Sequence, residues 1–229
     1  MPSAENHLIE LLPRHDRRRL LAACTAIDLT LDEVLYEQGS ATRHVYFPVD
    51  GNILLVARGD DHPGIEVGMV GREGMLGLHL ALGVVDAPVH ALVQGAGHAW
   101  RMTAGDFRRE LRHGPALRRI LDRYTVVSMS QLVVSAACAR FHQIGPRLAR
   151  WLLMSQDRAH ADNFHATQEF LAYMLGVRRV GITVAASCLQ RDGLIKYSRG
   201  TVKVLDRPGL EAAACACYAE DTRSYAALL

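Results

Sequence analysis

The chain has 229 residues, of which 49% are hydrophobic and 22% charged, with a formal net charge of +2. This is enough apolar material for one large core or two small ones, and it excludes a disordered chain. The charge is uneven: residues 140–207 hold eleven Lys or Arg against five Asp or Glu, a net charge of +6, so the rest of the chain carries −4. A region this positive favours a negatively charged partner such as a nucleic acid.

No basic segment followed by an apolar one, as in a secretory signal, stands in residues 1–21, which are predicted to form one short amphipathic helix with a basic end. The longest run without charge, residues 124–139, is too short for an ordinary membrane span and contains several Ser and Gln residues. We therefore expect a cytoplasmic protein that has no membrane partner.

The five cysteines are odd in number and show no CxxC spacing, so neither a disulfide framework nor a zinc ribbon is indicated. Cys215 and Cys217 are predicted to lie in one C-terminal helix, where side chains at i and i+2 point to different faces. No metal site is predicted. The cysteines are Cys24, Cys138, Cys188, Cys215 and Cys217.

Residues 28–104 consist of short apolar segments separated by Gly, Pro and Asp. This spacing predicts short antiparallel strands in a sandwich or barrel. Asp50-Gly51, between two apolar runs, predicts a hairpin turn, because Gly adopts a positive φ without strain. We predict an α+β fold whose N-terminal domain, residues 1–113, is a jelly-roll-like β-roll.

From about Thr103 the apolar period changes from 2 toward 3.6, and a helical stripe runs from Pro115 to about Phe141. We predict a central helix over residues 114–142, about 40 Å long at the usual rise per residue. Its apolar face is covered either by the chain's own β-domain or by the same helix of a second subunit, and we favour the homodimer. The residues assigned to the dimer seam are Leu117, Leu121, Tyr124, Val127, Gln131, Val134 and Cys138.

After a further helix that begins near Gly145-Pro146, Thr167 is positioned to cap a helix over Gln168 to Leu175. Gly176 permits a sharp turn, and Arg178 to about Leu189 forms a second helix. This spacing predicts a helix-turn-helix. The alternative is an ordinary helical hairpin.

The segment that follows favours the first interpretation. Leu194–Tyr197 and Thr201–Leu205 are predicted strands, joined by a turn at Ser198-Arg199-Gly200. A basic hairpin directly after the second helix is typical of the winged form of the motif, and its tip can meet a phosphate backbone.

The first turn of the second helix is the part that enters a DNA major groove. Arg179 is predicted to contact a base, and Arg178 a base or a phosphate. Gly181, Thr183 and Val184 are expected on the exposed face together with Ser187. The residues predicted to bind DNA are Thr167, Gln168, Arg178, Arg179, Gly181, Thr183, Val184, Ser187, Lys196, Ser198 and Arg199.

Two stretches carry a resemblance to a known family. "LYEQGSATRHVYFPVDGNILLV" resembles the first half of the cyclic-nucleotide-binding-type β-roll of the bacterial Crp/Fnr transcription regulators, and "TQEFLAYMLGVRRVGITVAASCLQRDGLIKYSRGTVKVLD" resembles their winged helix-turn-helix. The resemblance implies an effector-type N-terminal domain and a DNA-binding domain over residues 143–229. It also implies a homodimer joined by the central helix, a two-fold symmetric operator and contact with RNA polymerase.

The sequence departs from the relatives that use cyclic AMP. Those carry an acidic residue and then, after a proline, an Arg and a small polar residue; here Glu73 and Pro88 are kept, but Val89 and His90 follow. Because an apolar side chain cannot neutralise a buried phosphate, cyclic AMP is not the expected effector, and the effector stays open. The positions assigned to an effector pocket are Gly71, Glu73, Gly74, Met75, Leu76, Val89 and His90.

Other relatives in this family bind an iron-sulfur cluster or haem. The iron-sulfur relatives need an N-terminal cysteine cluster, and Cys24 stands alone, so this cofactor is not expected. Haem-binding relatives use a histidine of the β-domain, and haem is kept as an alternative with candidates His44, His79, His90 and His98. The second helix lacks the family's Arg-Glu-x-x-x-Arg pattern, which predicts a different operator.

An enzyme is not expected, because the sequence has no nucleophile elbow, phosphate loop or HExxH motif. The alternative function is a small-molecule or haem sensor whose helical domain binds proteins and not DNA.

Overall fold

The computed structural model describes residues 5–59, 62–159 and 163–229. They form two compact units. The first contains the described residues up to Leu55 together with Met69–Ser128 and the last two residues, and the second contains Val56–Gly68 and Met129–Ala227. The predicted division into residues 1–113, 114–142 and 143–229 stays a prediction.

The N-terminal segment of the first unit forms two helices, α1 at His7–Glu10 and α2 at Arg14–Ala22. The prediction of one helix was wrong. Pro13 separates the two because it has no N–H to donate and its ring clashes with the preceding turn, so it stands at the N-cap of α2. The first four residues of that prediction lie outside the described part of the chain.

Two sheets form the core of the first unit, in the strand orders β1-β7-β3 and β2-β6-β4-β5. Phe47 and Ile53 are fully buried in them. This is the predicted β-roll, and the α+β class is confirmed. The strands are β1 Thr25–Leu29, β2 Val34–Tyr36, β3 His44–Pro48, β4 Asn52–Gly59, β5 His62–Val70, β6 His90–Gly95 and β7 Gly97–Thr103, with a 3-10 helix at Leu78–Leu82 and helix α3 at Ala104–His113.

The turn at Asp50-Gly51 is real, since Gly51 has a φ of +72°, but it does not make a hairpin. Strand β3 pairs with β7, whereas β4 lies in the other sheet. The turn carries the chain from one sheet to the other, and a Cβ at Gly51 would clash with the carbonyl oxygen of Gly95. The expected hairpin was wrong because a local turn signal does not specify the partner of a strand.

The long helix is confirmed as α4, Pro115–Phe141. Most of the face assigned to a dimer seam is covered by the chain itself: Leu117, Leu121, Tyr124, Val127 and Cys138 are buried, and Gln131 and Val134 are half-buried. Tyr124, for example, fills the space beside Gly74, where a Cβ would clash with its hydroxyl. For the five buried residues the assignment was wrong, because α4 is apolar on more than one face, and for Gln131 and Val134 it stays a prediction.

A different face of α4 is uncovered. Val126, Met129 and Val133 are 53%, 61% and 69% exposed. They follow one another at intervals of three and four residues, the spacing of a coiled-coil seam. This uncovered stripe is available for a contact outside the chain.

The second unit is mostly helical. Helix α5 begins at Ile144, close to the predicted start, and buries Leu148, Trp151 and Leu152 on one face as expected. Residues 159–166 were predicted to be a loop, but Asn163–His165 form a strand that precedes the helix-turn-helix and pairs with the hairpin. Residues 160–162 lie outside the described part of the chain. The elements are α5 Ile144–Ala159, β8 Asn163–His165, α6 Gln168–Leu175, α7 Arg179–Arg191, β9 Ile195–Ser198, β10 Thr201–Val204, α8 Arg207–Ala213 and α9 Cys217–Leu228.

The ends of β4 and β5 belong to this second unit. The indole N–H of Trp151 donates to the Glu66 carboxylate, and Ile65 lies against Gly176. Burial raises the pKa of Glu66 to about 7, although the hydrogen bond from Trp151 and the charges of Arg150 and Arg158 oppose the shift.

In the described residues no single helix is long and apolar enough to cross a membrane; only α6 and α7 taken together, across their bend, reach that length and composition.

Candidate nucleic-acid interface

The two helices α6 and α7 begin and end as the sequence predicts. The Thr167 hydroxyl accepts the backbone N–H of Phe170 at 3.1 Å, which caps α6. Gly176 ends that helix with a φ of +62°, a conformation that costs a side-chain-bearing residue free energy. The chain turns by 111° before α7, an angle typical of a helix-turn-helix.

Helix α7 has one buried and one exposed face. Ile182, Ala185 and Leu189 lie at helical spacing and are buried in the second unit. On the opposite face Arg179, Thr183, Ser187 and Gln190 are exposed. The buried stripe fixes the rotation of the helix about its axis, so the identity of the outward residues is set by packing.

Strands β9 and β10 form the predicted basic hairpin, with Ser198 opposite Thr201. Arg199 and Gly200 have φ values of +51° and +78°, which is the backbone of a two-residue type I′ turn. A Cβ on Gly200 would lie 2.9 Å from the His165 ring and 3.2 Å from the Thr167 methyl group. The tip of the hairpin therefore lies directly beside the N-terminus of α6.

A groove of about 400 Å³ runs between α7 and this hairpin. It brings together six residues that the sequence predicted for DNA binding: Thr167, Gln168, Arg179, Ser187, Ser198 and Arg199. It also contains four residues that were missed: Ala186, Gln190, Tyr197 and Gly200. Gln190 could have been found, since it lies three residues after Ser187 and eleven after Arg179, on the same helical face.

Two glutamines of the groove lining, Gln168 and Gln190, are held in place by hydrogen bonds within the chain. The Thr183 hydroxyl donates to the Gln168 amide oxygen at 2.7 Å, which joins the exposed faces of α6 and α7. The Gln190 amide oxygen accepts the backbone N–H of Tyr197 at 2.7 Å. In both glutamines the amide oxygen is thus engaged, and the amide N–H groups remain to donate to an acceptor in the groove.

The electrostatics of the groove favour an anion. Arg178, Arg179 and Arg199 are exposed, and none of them forms an ion pair with a carboxylate in the parts of the chain that the structure describes. Burial raises the pKa of Tyr197 to about 12, although the positive charge of Arg179 opposes the shift. The phenol is therefore neutral at physiological pH and does not offset the positive charges of Arg179 and Arg199.

The remaining predicted residues lie outside the groove. Arg178 is the N-cap of α7, and Val184 and Lys196 are exposed. Gly181 was expected on the exposed face but is half-buried: a Cβ there would lie 2.6 Å from Ile144, because α5 packs against this side of α7. That placement was wrong, since a glycine gives no polarity by which to choose a face.

The residues assigned to an effector pocket occupy two places in the first unit. The Glu73 carboxylate accepts the backbone N–H of Gly71 at 3.0 Å, so this acid stabilises its own turn. Gly74, Met75 and Leu76 follow it and are buried. Val89 and His90 lie at the start of β6, where the His90 ring is 2% exposed and its Nδ1 is 3.0 Å from the Glu37 carboxylate.

The other histidines considered as haem ligands also have side-chain neighbours. His79 Nε2 is 2.8 Å from the Thr42 hydroxyl, and burial lowers its pKa. His98 Nδ1 is 3.0 Å from Asp50, and this hydrogen bond raises the His98 pKa. For His44, burial followed by the charges of Arg101 and Arg43 lowers the pKa.

The arrangement of α5 to α8 with the hairpin is that of a winged helix-turn-helix. The sequence model of the Crp-like helix-turn-helix domain matches residues 146–213, which covers this arrangement. Residues 146–213 therefore form a Crp-like helix-turn-helix domain. No curated protein matches the sequence.

Solved structures extend the likeness to the whole fold. FixK2 from Bradyrhizobium japonicum has 15% identity and a TM-score of 0.70, and the match covers 84% of this chain and 98% of that one. CLP from Xanthomonas campestris, described as a c-di-GMP responsive global regulator, has 16% identity, a TM-score of 0.67 and coverages of 84% and 99%. A CRP-family transcriptional regulator from Thermus thermophilus has 22% identity, a TM-score of 0.64 and coverages of 82% and 96%.

The chain thus has the fold of the Crp/Fnr transcription regulators, a cyclic-nucleotide-binding-like β-roll followed by a winged helix-turn-helix. The resemblance to this family that the sequence predicted is confirmed.

Proposed function

We propose that the protein is a sequence-specific DNA-binding transcription regulator that acts as a homodimer on a two-fold symmetric operator. The observation that carries this proposal is the groove between α7 and the hairpin. It presents Arg179, Ser187 and Gln190 from one wall and Arg199 from the other, with the cations left without internal carboxylate partners among the described residues.

Each wall of the groove has its own role at the duplex. Arg179 at the start of α7 enters the major groove, where its guanidinium donates to the O6 and N7 atoms of a guanine. Ser187 and Gln190 lie two and three turns further along the same face and reach the neighbouring base edge or phosphate. Arg199 at the hairpin tip and the N-terminus of α6 at Thr167 hold phosphates, which sets the register of the helix on the duplex.

The dimer forms through the uncovered stripe of α4. Val126, Met129 and Val133 are apolar, exposed and spaced as in a coiled-coil seam. Burying them against the same stripe of a second copy removes from water an apolar surface that monomeric proteins rarely leave open. A two-fold axis along this seam presents two copies of α7 to half-sites about one helical turn, roughly 34 Å, apart.

The effector is not cyclic AMP in this proposal. Val89 offers no positive charge to a cyclic phosphate, and the His90 ring is already engaged with Glu37. The protein acts in the cytoplasm, and its transcriptional effect passes through contact with RNA polymerase.

Selection of bound sequences from a random duplex pool tests the central proposal. We expect enrichment of an inverted repeat whose half-sites are about 10 base pairs apart, centre to centre, with affinity that falls steeply as salt rises. The matched control is Arg179→Ala, which should enrich the motif more weakly and lose the preference at the base pair that Arg179 contacts. If the wild-type chain enriches no motif and its weak binding is insensitive to salt, the helical unit does not act on DNA, and the sensor with a protein partner takes its place.

Calorimetric titration with cyclic AMP tests the statement about the effector. We expect no heat of binding and no change in affinity for the selected operator. Saturable binding of one cyclic AMP per chain would overturn the statement without affecting the proposal on DNA.

A further inference from the structure

Four metal-ligating side chains of the second unit meet at one point, away from the groove. They are Cys138, His142, Cys215 and Cys217, and one ligand atom of each lies within 4.8 Å of the ligand atoms of all the others. Among the described residues, these four are the one group of His, Cys, Asp or Glu side chains that lie close enough together to hold a metal ion. DNA binding as described above does not use any of the four.

Two local structures bring these side chains together. Cys138 and His142 are four residues apart at the end of α4, on one face, and the backbone N–H of His142 donates to the Cys138 carbonyl at 3.2 Å. Cys215 lies in the turn between α8 and α9, and Cys217 is the first residue of α9. The expectation that Cys215 and Cys217 share one helix was wrong. Because Cys215 lies in the turn before α9, its side chain and that of Cys217 can point to the same centre.

The distances fit one tetrahedral ion. The Sγ atoms of Cys138 and Cys215 are 3.5 Å apart, and Cys217 Sγ is 3.5 Å from His142 Nδ1. With Zn–S bonds of about 2.3 Å and Zn–N bonds of about 2.0 Å, a tetrahedral site separates two sulfurs by about 3.8 Å and a sulfur from a nitrogen by about 3.6 Å. The other separations lie within 4.8 Å, so side-chain shifts of about 1 Å or less would complete the site.

The surroundings are those of a closed site. Cys138 and Cys217 are 2% and 9% exposed, and Val134 packs against the sulfurs. The Arg150 guanidinium lies nearby and pairs with Asp221 at 2.6 Å.

We propose that Cys138, His142, Cys215 and Cys217 bind one structural Zn²⁺. Three thiolates and an imidazole form a complete tetrahedral set with no open position for water, which is the pattern of a structural and not a catalytic zinc site. Soft sulfur ligands select zinc over magnesium or calcium. An iron-sulfur cluster fits less well, because its thiolates bind different iron atoms and so stand farther apart than four ligands of a single ion.

The ion would cross-link two parts of the second unit that are distant in sequence. Cys138 and Cys215 are 77 residues apart. The ion would connect the end of α4 to the start of α9, close to the junction between α4 and α5. Zinc binding should therefore raise the free energy of unfolding of this unit, as for other ions that bind only the folded state.

Metal analysis of the untagged full-length chain tests the proposal. We expect one zinc per chain after purification in zinc-containing medium and, after exchange, a Co²⁺ spectrum with thiolate charge-transfer bands and the intense visible bands of a tetrahedral site. The variants Cys138→Ser and Cys217→Ser should lose the stoichiometric metal and the zinc-dependent rise in the thermal midpoint. Cys24→Ser and Cys188→Ser are the matched controls, since neither residue is in the cluster, and both should keep one metal per chain.

Several results would overturn the proposal. A wild-type chain without zinc, whose Co²⁺ spectrum lacks thiolate bands, does not have this site even if the variants fail to fold. Equal loss of metal in the Cys24→Ser and Cys188→Ser controls would place the ion elsewhere. A Cys138–Cys215 disulfide in chain purified under reducing conditions would mean that the sulfurs form a dithiol pair instead. All these measurements are made without DNA, so their failure leaves the proposed function untouched.

Discussion

Replacing Arg179 with Ala separates base recognition from general attraction to DNA. The side chain is exposed at the first residue of α7 and forms no ion pair within the described residues, so its loss should change the free energy of unfolding by no more than about 0.5 kcal/mol. A good bidentate contact to guanine contributes about 1 to 3 kcal/mol of discrimination. Because a dimer makes the contact twice, specific binding should weaken by about 2 kcal/mol or more, roughly 30-fold.

Fluorescence anisotropy measures this effect directly. Affinity is determined for a labelled duplex that carries the selected operator and for a scrambled duplex of the same composition, each at several salt concentrations. For Arg179→Ala we expect the large loss on the operator and a small one on the scrambled duplex. For Arg199→Ala we expect a similar loss on both, with a salt slope lower by about one unit for each lost phosphate contact.

Arg191→Ala is the matched control. Arg191 is an exposed arginine at the other end of the same helix, 3.4 Å from Asp192 and outside the groove lining. It should leave both affinities nearly unchanged. Equal losses for Arg179→Ala on the operator and on the scrambled duplex would refute the base contact and make this residue a phosphate ligand.

Three further substitutions test other parts of the structure. Val133→Glu places a charge on the uncovered stripe of α4 and should convert dimers to monomers in light scattering. The dimer dissociation constant should rise at least about 100-fold. A normal dimer would exclude this seam. The pKa of Glu66 lies above the usual 4.5 at about 7, so the folded chain binds more protons than the unfolded chain and stability should fall as pH rises through this window. Glu66→Gln should flatten that dependence in denaturant titrations, and an unchanged slope would mean that another group titrates. Gly51→Ala should destabilise by several kcal/mol, because φ is +72° and the Cβ clashes with the Gly95 carbonyl; a loss below about 0.5 kcal/mol would show that the turn relaxes.

The sequence predicted the helix-turn-helix and the hairpin well because their signals are local. A capping Thr167, a glycine with positive φ at position 176 and the Arg199-Gly200 turn each specify the backbone within a few residues. Packing of α7 then determines its outward face, so Arg179 and Ser187 could be placed from helical periodicity alone. Gln190 lies on that same face and was missed only because no motif pointed to it.

Features that depend on distant parts of the chain were not predicted correctly. The partners of β3 and β4 are set by pairing with β7 and β6, not by the turn that joins them. Helix α4 is apolar on two faces, and periodicity could not tell which face the chain itself covers. The approach of Cys138 to Cys215 depends on a turn between α8 and α9 that the sequence suggested would be helix.

The segment Val56–Gly68 has a consequence for how the second unit acquires its structure. Its Glu66 is 85 residues from Trp151. During synthesis the segment therefore leaves the ribosome long before Trp151, and the two can pack together only after the later residues are made. A fragment that starts at residue 143 would keep the residues proposed to bind DNA and yet lack Glu66 and Ile65, which contact Trp151 and Gly176. Such a fragment should be less stable and more prone to aggregate than the same residues in the full-length chain. Adding residues 56–68 as a separate peptide should restore part of the lost stability.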